Sequence, residues 1–182
     1  MFNMLRMDLR RLFRTRSFYI ILGVTAALLL AVVLLAAAIS SPDTLDAIQS
    51  QGAEIDEYDR QMAEGIRSMT QLEFIAECIG GGSLLVMAGL GMTLFVHGDF
   101  SSGYIKNICF VRPRRWEYVL SKILLAGVYS GVLTALGILV SLTAPLLFGL
   151  HPPASPMVRI LEYALWSWLL YWAFSLMGLS LA

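Results

Sequence analysis

Four long runs of apolar residues alternate with polar or charged segments along this chain of 182 residues. That alternation predicts a polytopic α-helical membrane protein, all-α in class and organised as a single transmembrane domain over 1–182. The first run, 18–39, is uncharged throughout and long enough for a hydrocarbon core that needs about 20 helical residues. The other expected spans are 79–96, 123–148 and 161–182. Ahead of the first, 1–17 sets Leu5, Leu9, Leu12 and Phe13 on one side and Arg6, Arg10 and Arg14 on another. This spacing predicts an amphipathic helix lying in the membrane interface, its arginines among anionic headgroups.

The connecting segments differ in kind. Residues 40–78 are polar and are expected to form one or two short helices that start at Ser41–Pro42 and break near Gly52 and Gly65. Leu45, Ile48, Ile55, Tyr58, Met62 and Ile66 give them a weak apolar face. Residues 149–160 make a tight external turn containing GLHPPASP. In the central segment, 97–122, Phe100, Tyr104, Ile105, Ile108 and Cys109 recur at helical spacing, while Lys106 and Asn107 point elsewhere. Ser101 or Ser102 can cap this short helix, Gly103 lies within it and Pro113 stops it. A bounded element of this kind, held between two spans, suits contact with a second protein.

Small residues mark where helices can approach. Gly127 and Gly131 form a G-x-x-x-G pair with Ala135 one turn on, predicting a packed helix face. Gly23, Ala27 and Ala31 form a similar stripe, which chance explains nearly as well in an alanine-rich run. The second span contains Gly80, Gly81, Gly82, Gly89 and Gly91, for close packing or for flexing. Pro145 should kink or end the third. Tyr163, Trp166, Trp168, Tyr171 and Trp172 crowd the start of the fourth, some for the headgroup boundary and the deeper ones for packing.

Composition agrees with the pattern: 58% of residues are hydrophobic and 14% charged, against about a quarter charged in soluble domains. Formal net charge is zero, yet the signs are segregated. Five arginines and one acid, Asp8, precede the first span, and Lys106, Arg112, Arg114, Arg115 and Lys122 outweigh Asp99 and Glu117 in the central segment. Residues 40–78 hold nine acids against Arg60 and Arg67, and Arg159 alone follows the third span. Ten of 13 basic residues thus share one side, which the positive-inside rule makes cytoplasmic, N-terminus included. Cys78 and Cys109 then fall on opposite sides and cannot pair. A cleaved signal peptide also opens on basic residues, and the alanines at 36–38 offer a cleavage site, but the apolar run exceeds a signal core.

Motifs for chemistry are lacking. The chain has no G-x-x-x-x-G-K-[ST], no H-E-x-x-H and no G-x-S-x-G, and no ionisable residue is expected mid-span; catalytic, cofactor-binding and metal-ligating residues are assigned to none. Clustered acids in 40–78 read as a solvated face, the nine methionines as packing, and His97 and Asp99 as interfacial polar groups.

With the residues laid out, the chain resembles the ABC-2 type permease family, the membrane subunits of bacterial ABC exporters. The resemblance rests on the basic N-terminal helix, the acidic external segment, and a cytoplasmic stretch in which Asp99, Gly103, Lys106-Asn107-Ile108, Arg112, Arg114-Arg115 and Ser121-Lys122 follow the family pattern, with Asp99 where glutamate is usual. It implies a permease in the bacterial inner membrane that hydrolyses no ATP itself and needs no cofactor. A separate ATPase subunit would receive Ser102, Gly103, Tyr104, Ile105, Lys106, Asn107 and Ile108 as a coupling helix, and a second permease half would complete the pathway. A membrane scaffold or sensor with the acidic segment as its binding face is the alternative. Family members have six spans; four are legible here, and the apolar run reaching Ala182 reads as a truncated product.

Overall fold

The computed structural model describes residues 2–41, 57–101 and 115–181, which form seven helices and, among the described residues, no strand. They are α1 (Phe2–Arg14), α2 (Arg16–Ser40), α3 (Glu57–Ser68), α4 (Gln71–Gly80), α5 (Ser83–Ser101), α6 (Arg115–Leu147) and α7 (Met157–Leu181). The all-α expectation therefore holds. Three of the helices are long and apolar enough to cross a membrane: α2, α5 and α6 from Tyr118 to Leu147. Four were expected. The 25-residue α7 matches α2 in length, but four indole or phenol side chains between Trp166 and Trp172 dilute its hydropathy.

Several boundaries move. The second span was expected to open at Ile79, but the chain breaks at Gly81 and Gly82, the latter with φ of 78°, and α5 begins at Ser83. Gly65 lies inside α3, and the break falls instead at Met69–Thr70. On α3, Ala63 is buried while Tyr58 is 74% exposed, so the weak apolar face read from Tyr58 and Met62 is not the packed one. α6 runs through Pro145 for two further residues and stops before Gly149, whose φ is 77°. At 33 residues α6 spans about 50 Å, well beyond the ~30 Å of a hydrocarbon core.

The core is a bundle of α5, α6 and α7, with α2 laid on α5 and α6, and α4 on α6. Leu29 and Val33 of α2, Ile75 and Ile79 of α4, Leu84, Ala88 and Met92 of α5, and Leu125 and Leu133 of α6 are its buried centre. Glycines set the spacing between α5, α6 and α7. A Cβ at Gly178 would lie 2.7 Å from the carbonyl oxygen of Gly89, and one at Gly91 would overlap the Tyr129 hydroxyl, which donates to the Met87 carbonyl at 3.0 Å. Gly89 and Gly91 are therefore packing surfaces, whereas a Cβ at Gly80 or Gly82 would meet nothing within 4 Å. By contrast Gly23, Ala27 and Ala31 are all exposed, facing away from the described helices.

Helix ends far from α1 are satisfied by a local cap and by contacts distant in sequence. Thr70 and Glu73 form a reciprocal capping box at the start of α4, and those hydrogen bonds from Thr70 hold the Glu73 carboxyl below its usual range. The next amides of α4 donate to the connection before α7: Gln71 to the Pro153 carbonyl at 2.9 Å and Leu72 to Ser155 Oγ at 3.0 Å. Arg67 donates through Nε and Nη2 to the Ser40 carbonyl, closing the C-terminus of α2.

This packing makes a graded prediction. Gly91→Ala should lower stability by about 1–3 kcal/mol because Tyr129 must shift. Gly23→Ala, where nothing lies within 4 Å of the new Cβ, should be neutral or slightly stabilising. Unfolding midpoints of both variants in one detergent check the contrast.

Candidate functional site

The group with the most unusual chemistry is a set of buried charges where α1, α5 and α6 meet. It begins with local periodicity. On α1, Asp8 lies one turn before Leu12, and both are buried, while Arg6, Arg10 and Arg14 face outward. The one acid of this basic helix therefore sits on its packed face. On α5, Asp99 follows Phe95 by one turn, and on α6 Lys122 follows Tyr118 by the same spacing, with Ser121 alongside.

The three helices bring these residues within contact distance. Lys122 Nζ lies 2.6 Å from Asp99 Oδ2 and 3.2 Å from Asp8 Oδ2, with Lys122 1% and both carboxylates 0% exposed. Arg11 Nη1 meets the other oxygen of Asp99 at 2.9 Å. Ser121 Oγ donates to Asp8 Oδ2 at 2.8 Å, and the Tyr118 hydroxyl reaches Asp99 Oδ2 at 3.4 Å. Beneath the ammonium lies the Phe95 ring, 4.7 Å from Nζ to its centroid, and Tyr118 stands 5.2 Å away. Among the described residues two carboxylates face two cations, Lys122 and the partly exposed Arg11. This pairing offsets the cost of burial, since an isolated ion here would face the full cost of desolvation.

Such a cluster lends the fold little net stability but forbids partial dismantling. Mechanically, it ties the last turn of α5 to the second turn of α6, and both to the N-terminal helix. The segment 102–114 is thus bracketed by two helix ends held to each other by an ion pair.

This revises one expectation: Asp99 was read as an interfacial polar group beside His97, but Asp99 is buried and His97 is exposed. Asp8, Asp99 and Lys122 are buried near the ends of their helices, away from mid-span, where no ionisable residue was expected. The N-terminal helix, expected to lie among headgroups, packs on α6 with Asp8 and Leu12 buried, while Arg6, Arg10 and Arg14 stay exposed. The signal available in the sequence was Asp8 itself, a solitary acid among arginines at apolar spacing.

Of the residues singled out for coupling, Ser102, Gly103, Tyr104, Ile105, Lys106, Asn107 and Ile108 lie outside the described residues, as do Cys109 and the expected helix start at Pro42. The other end of the central segment, from Arg115 to Lys122, is continuous with α6. Gly127 and Gly131 sit against α7, and their neighbours there are indoles: a Cβ would meet Trp172 at 3.0 Å and Trp168 at 3.2 Å. Trp168 Nε1 donates to the Gly127 carbonyl at 2.8 Å and Trp172 Nε1 to the Ile123 carbonyl at 3.0 Å, the two rings stacked 5.6 Å apart. Ala135 is exposed. Among the described residues no three of His, Cys, Asp and Glu converge as a metal site would require.

Removing one charge should expose the cluster's interdependence. Among the described residues, Lys122→Met leaves two carboxylates against one arginine and should cost about 3–5 kcal/mol. Adding Asp8→Asn restores the charge balance around Arg11 and Asp99, so the two losses should fail to add by about 0.5–3 kcal/mol. A double-mutant cycle on detergent-solubilised protein measures this; strict additivity would mean that Asp8 and Lys122 do not interact.

Comparison with protein-family models, with curated proteins and with solved structures finds no match to this chain.

Proposed function

We propose that this chain is the permease subunit of an ATP-driven ABC exporter of the bacterial inner membrane. In this reading the N-terminus is cytoplasmic, α7 is a fourth span, and the segment 99–122 receives the motion of a separate ATPase subunit. A second permease half, identical or not, completes the transmembrane pathway. ATP is hydrolysed in the partner, and this chain needs neither catalytic group nor cofactor.

The observation that carries the reading is the ion pair between Asp99 and Lys122, 2.6 Å across the two ends of the 102–114 segment. A force-receiving loop has to move its two flanking helices together rather than flex between them. Here the flanking ends are joined through charge, and Asp8 and Arg11 add the N-terminal helix to the same body. Three helices suited to crossing a membrane and the resemblance of Asp99, Gly103, Lys106-Asn107-Ile108 and Ser121-Lys122 to the ABC-2 type permease pattern point the same way.

A scaffold or sensor subunit without transport activity is the second reading, and one feature favours it. At the opposite end of the bundle a cavity of about 310 Å³ is lined by Phe74, Phe148 and Leu150 together with Arg67 and His151. Such a mixture of apolar and basic walls suits a small ligand.

The two readings part on association. The natural chain and a Tyr104→Asp, Ile105→Asp double variant are purified in detergent from bacterial membranes, and ATP hydrolysis is assayed in each eluate. Co-purifying hydrolysis should fall by about tenfold or more in the variant at equal membrane insertion, the loss expected for two anchors of an interface. Equal hydrolysis with both chains, or none with either, contradicts the permease reading.

A further inference from the structure

A groove runs along the elbow between α1 and α2 where it passes α5. Its volume is about 160 Å³, with Phe18 and Ile21 of α2 facing Leu94 and Phe95 of α5 across it. Its lining changes character at one level. Toward the spans the walls are apolar; at the elbow they become Arg11, Thr15 and Ser17. Arg14 and Arg16 flank Thr15, both exposed, and among the described residues neither forms an ion pair.

We infer that this groove binds an anionic phospholipid, one acyl chain lying between Phe18, Ile21 and Leu94 and the phosphate resting among Arg11, Arg14 and Arg16. The argument is charge complementarity set at a defined depth. α2 leaves its apolar stretch at the elbow, where Arg11 lines the slot and the exposed Arg14 and Arg16 flank Thr15 of the same lining. A zwitterionic lipid would fill the slot but bring no net charge to answer Arg14 and Arg16. A free phosphate would meet the arginines but leave the apolar walls unused. Leu94 and Ile20 beside the groove are exposed, which gives a lipid a lateral way in. Arg11 also holds Asp99, so an occupied groove would touch the buried cluster directly. The inference stands on the groove and the arginines alone, independently of transport.

Gly98 supplies a clean way to close the groove, because it lines the slot and a Cβ there meets nothing within 4 Å. The full chain is reconstituted into vesicles of equal phosphatidylglycerol and phosphatidylcholine, re-extracted in detergent, and its retained lipid counted by native mass spectrometry. The natural chain should favour phosphatidylglycerol, and an Arg14→Gln, Arg16→Gln variant should lose about fivefold of that preference per arginine while still retaining lipid. Gly98→Leu should retain neither lipid, with an unfolding midpoint in pure phosphatidylcholine unchanged from the natural chain. Equal retention of the two lipids by the natural chain, an undiminished preference in the double arginine variant, or protection by inorganic phosphate equal to that by phosphatidylglycerol would each overturn the inference. If Gly98→Leu proves unstable, the arginine variant, altered only at exposed positions, decides alone.

Discussion

One ammonium group holds the described fold together at its charged end. Lys122 sits between two carboxylates from helices far apart in sequence, Asp8 on α1 and Asp99 on α5. All three side chains are withdrawn from solvent, and none can be buried without the others. The positions of α1, α5 and α6 are therefore interdependent there. Apolar packing alone is non-directional and would tolerate sliding of one helix on another. Ion pairs at 2.6–3.2 Å fix the register.

The rest of the bundle uses a different means to the same end. Hydroxyl and indole groups reach across to backbone carbonyls of neighbouring helices: Tyr129 to Met87, Tyr171 to Ile79, Trp168 to Gly127, Trp172 to Ile123 and Thr93 to Gly178. Each bond needs the donor's helix close to its target, and glycine at 89, 91, 127, 131 and 178 makes room for the side chains or backbone involved. Glycines and aromatic residues thus act as pairs, the small residue on one helix receiving the large one on its neighbour.

Much of this was legible from pattern, because pattern reports what is local. The apolar runs located the long helices, and the arginine repeat identified the exposed side of α1, where Arg6, Arg10 and Arg14 do face outward. What pattern lacked was pairing. Asp8 looks like a stray acid until Ser121 and Lys122, more than a hundred residues later, are placed beside it. Gly127 and Gly131 announce a packed face, but their spacing does not say that indoles occupy it. The glycines at 81 and 82 read as part of a span because a helix tolerates glycine; only the positive φ at Gly82 shows that the chain turns there. The length of α7 was equally clear, but Trp168 and Trp172, which bond it to α6, and Tyr171, which bonds it to α4, are among the residues that lower its apolar character.

The central structural claim is that α1 is docked on the bundle by the Asp8, Lys122 and Asp99 cluster rather than lying loose on the membrane. The most direct test is a distance distribution between spin labels at the exposed positions Arg10 on α1 and Val119 on α6, with Cys78 replaced by alanine and Cys109 by serine, in lipid bilayers. A single narrow distribution that broadens in Lys122→Met is the predicted result. A distribution already broad in the parent chain, or one unmoved by Lys122→Met, would contradict it.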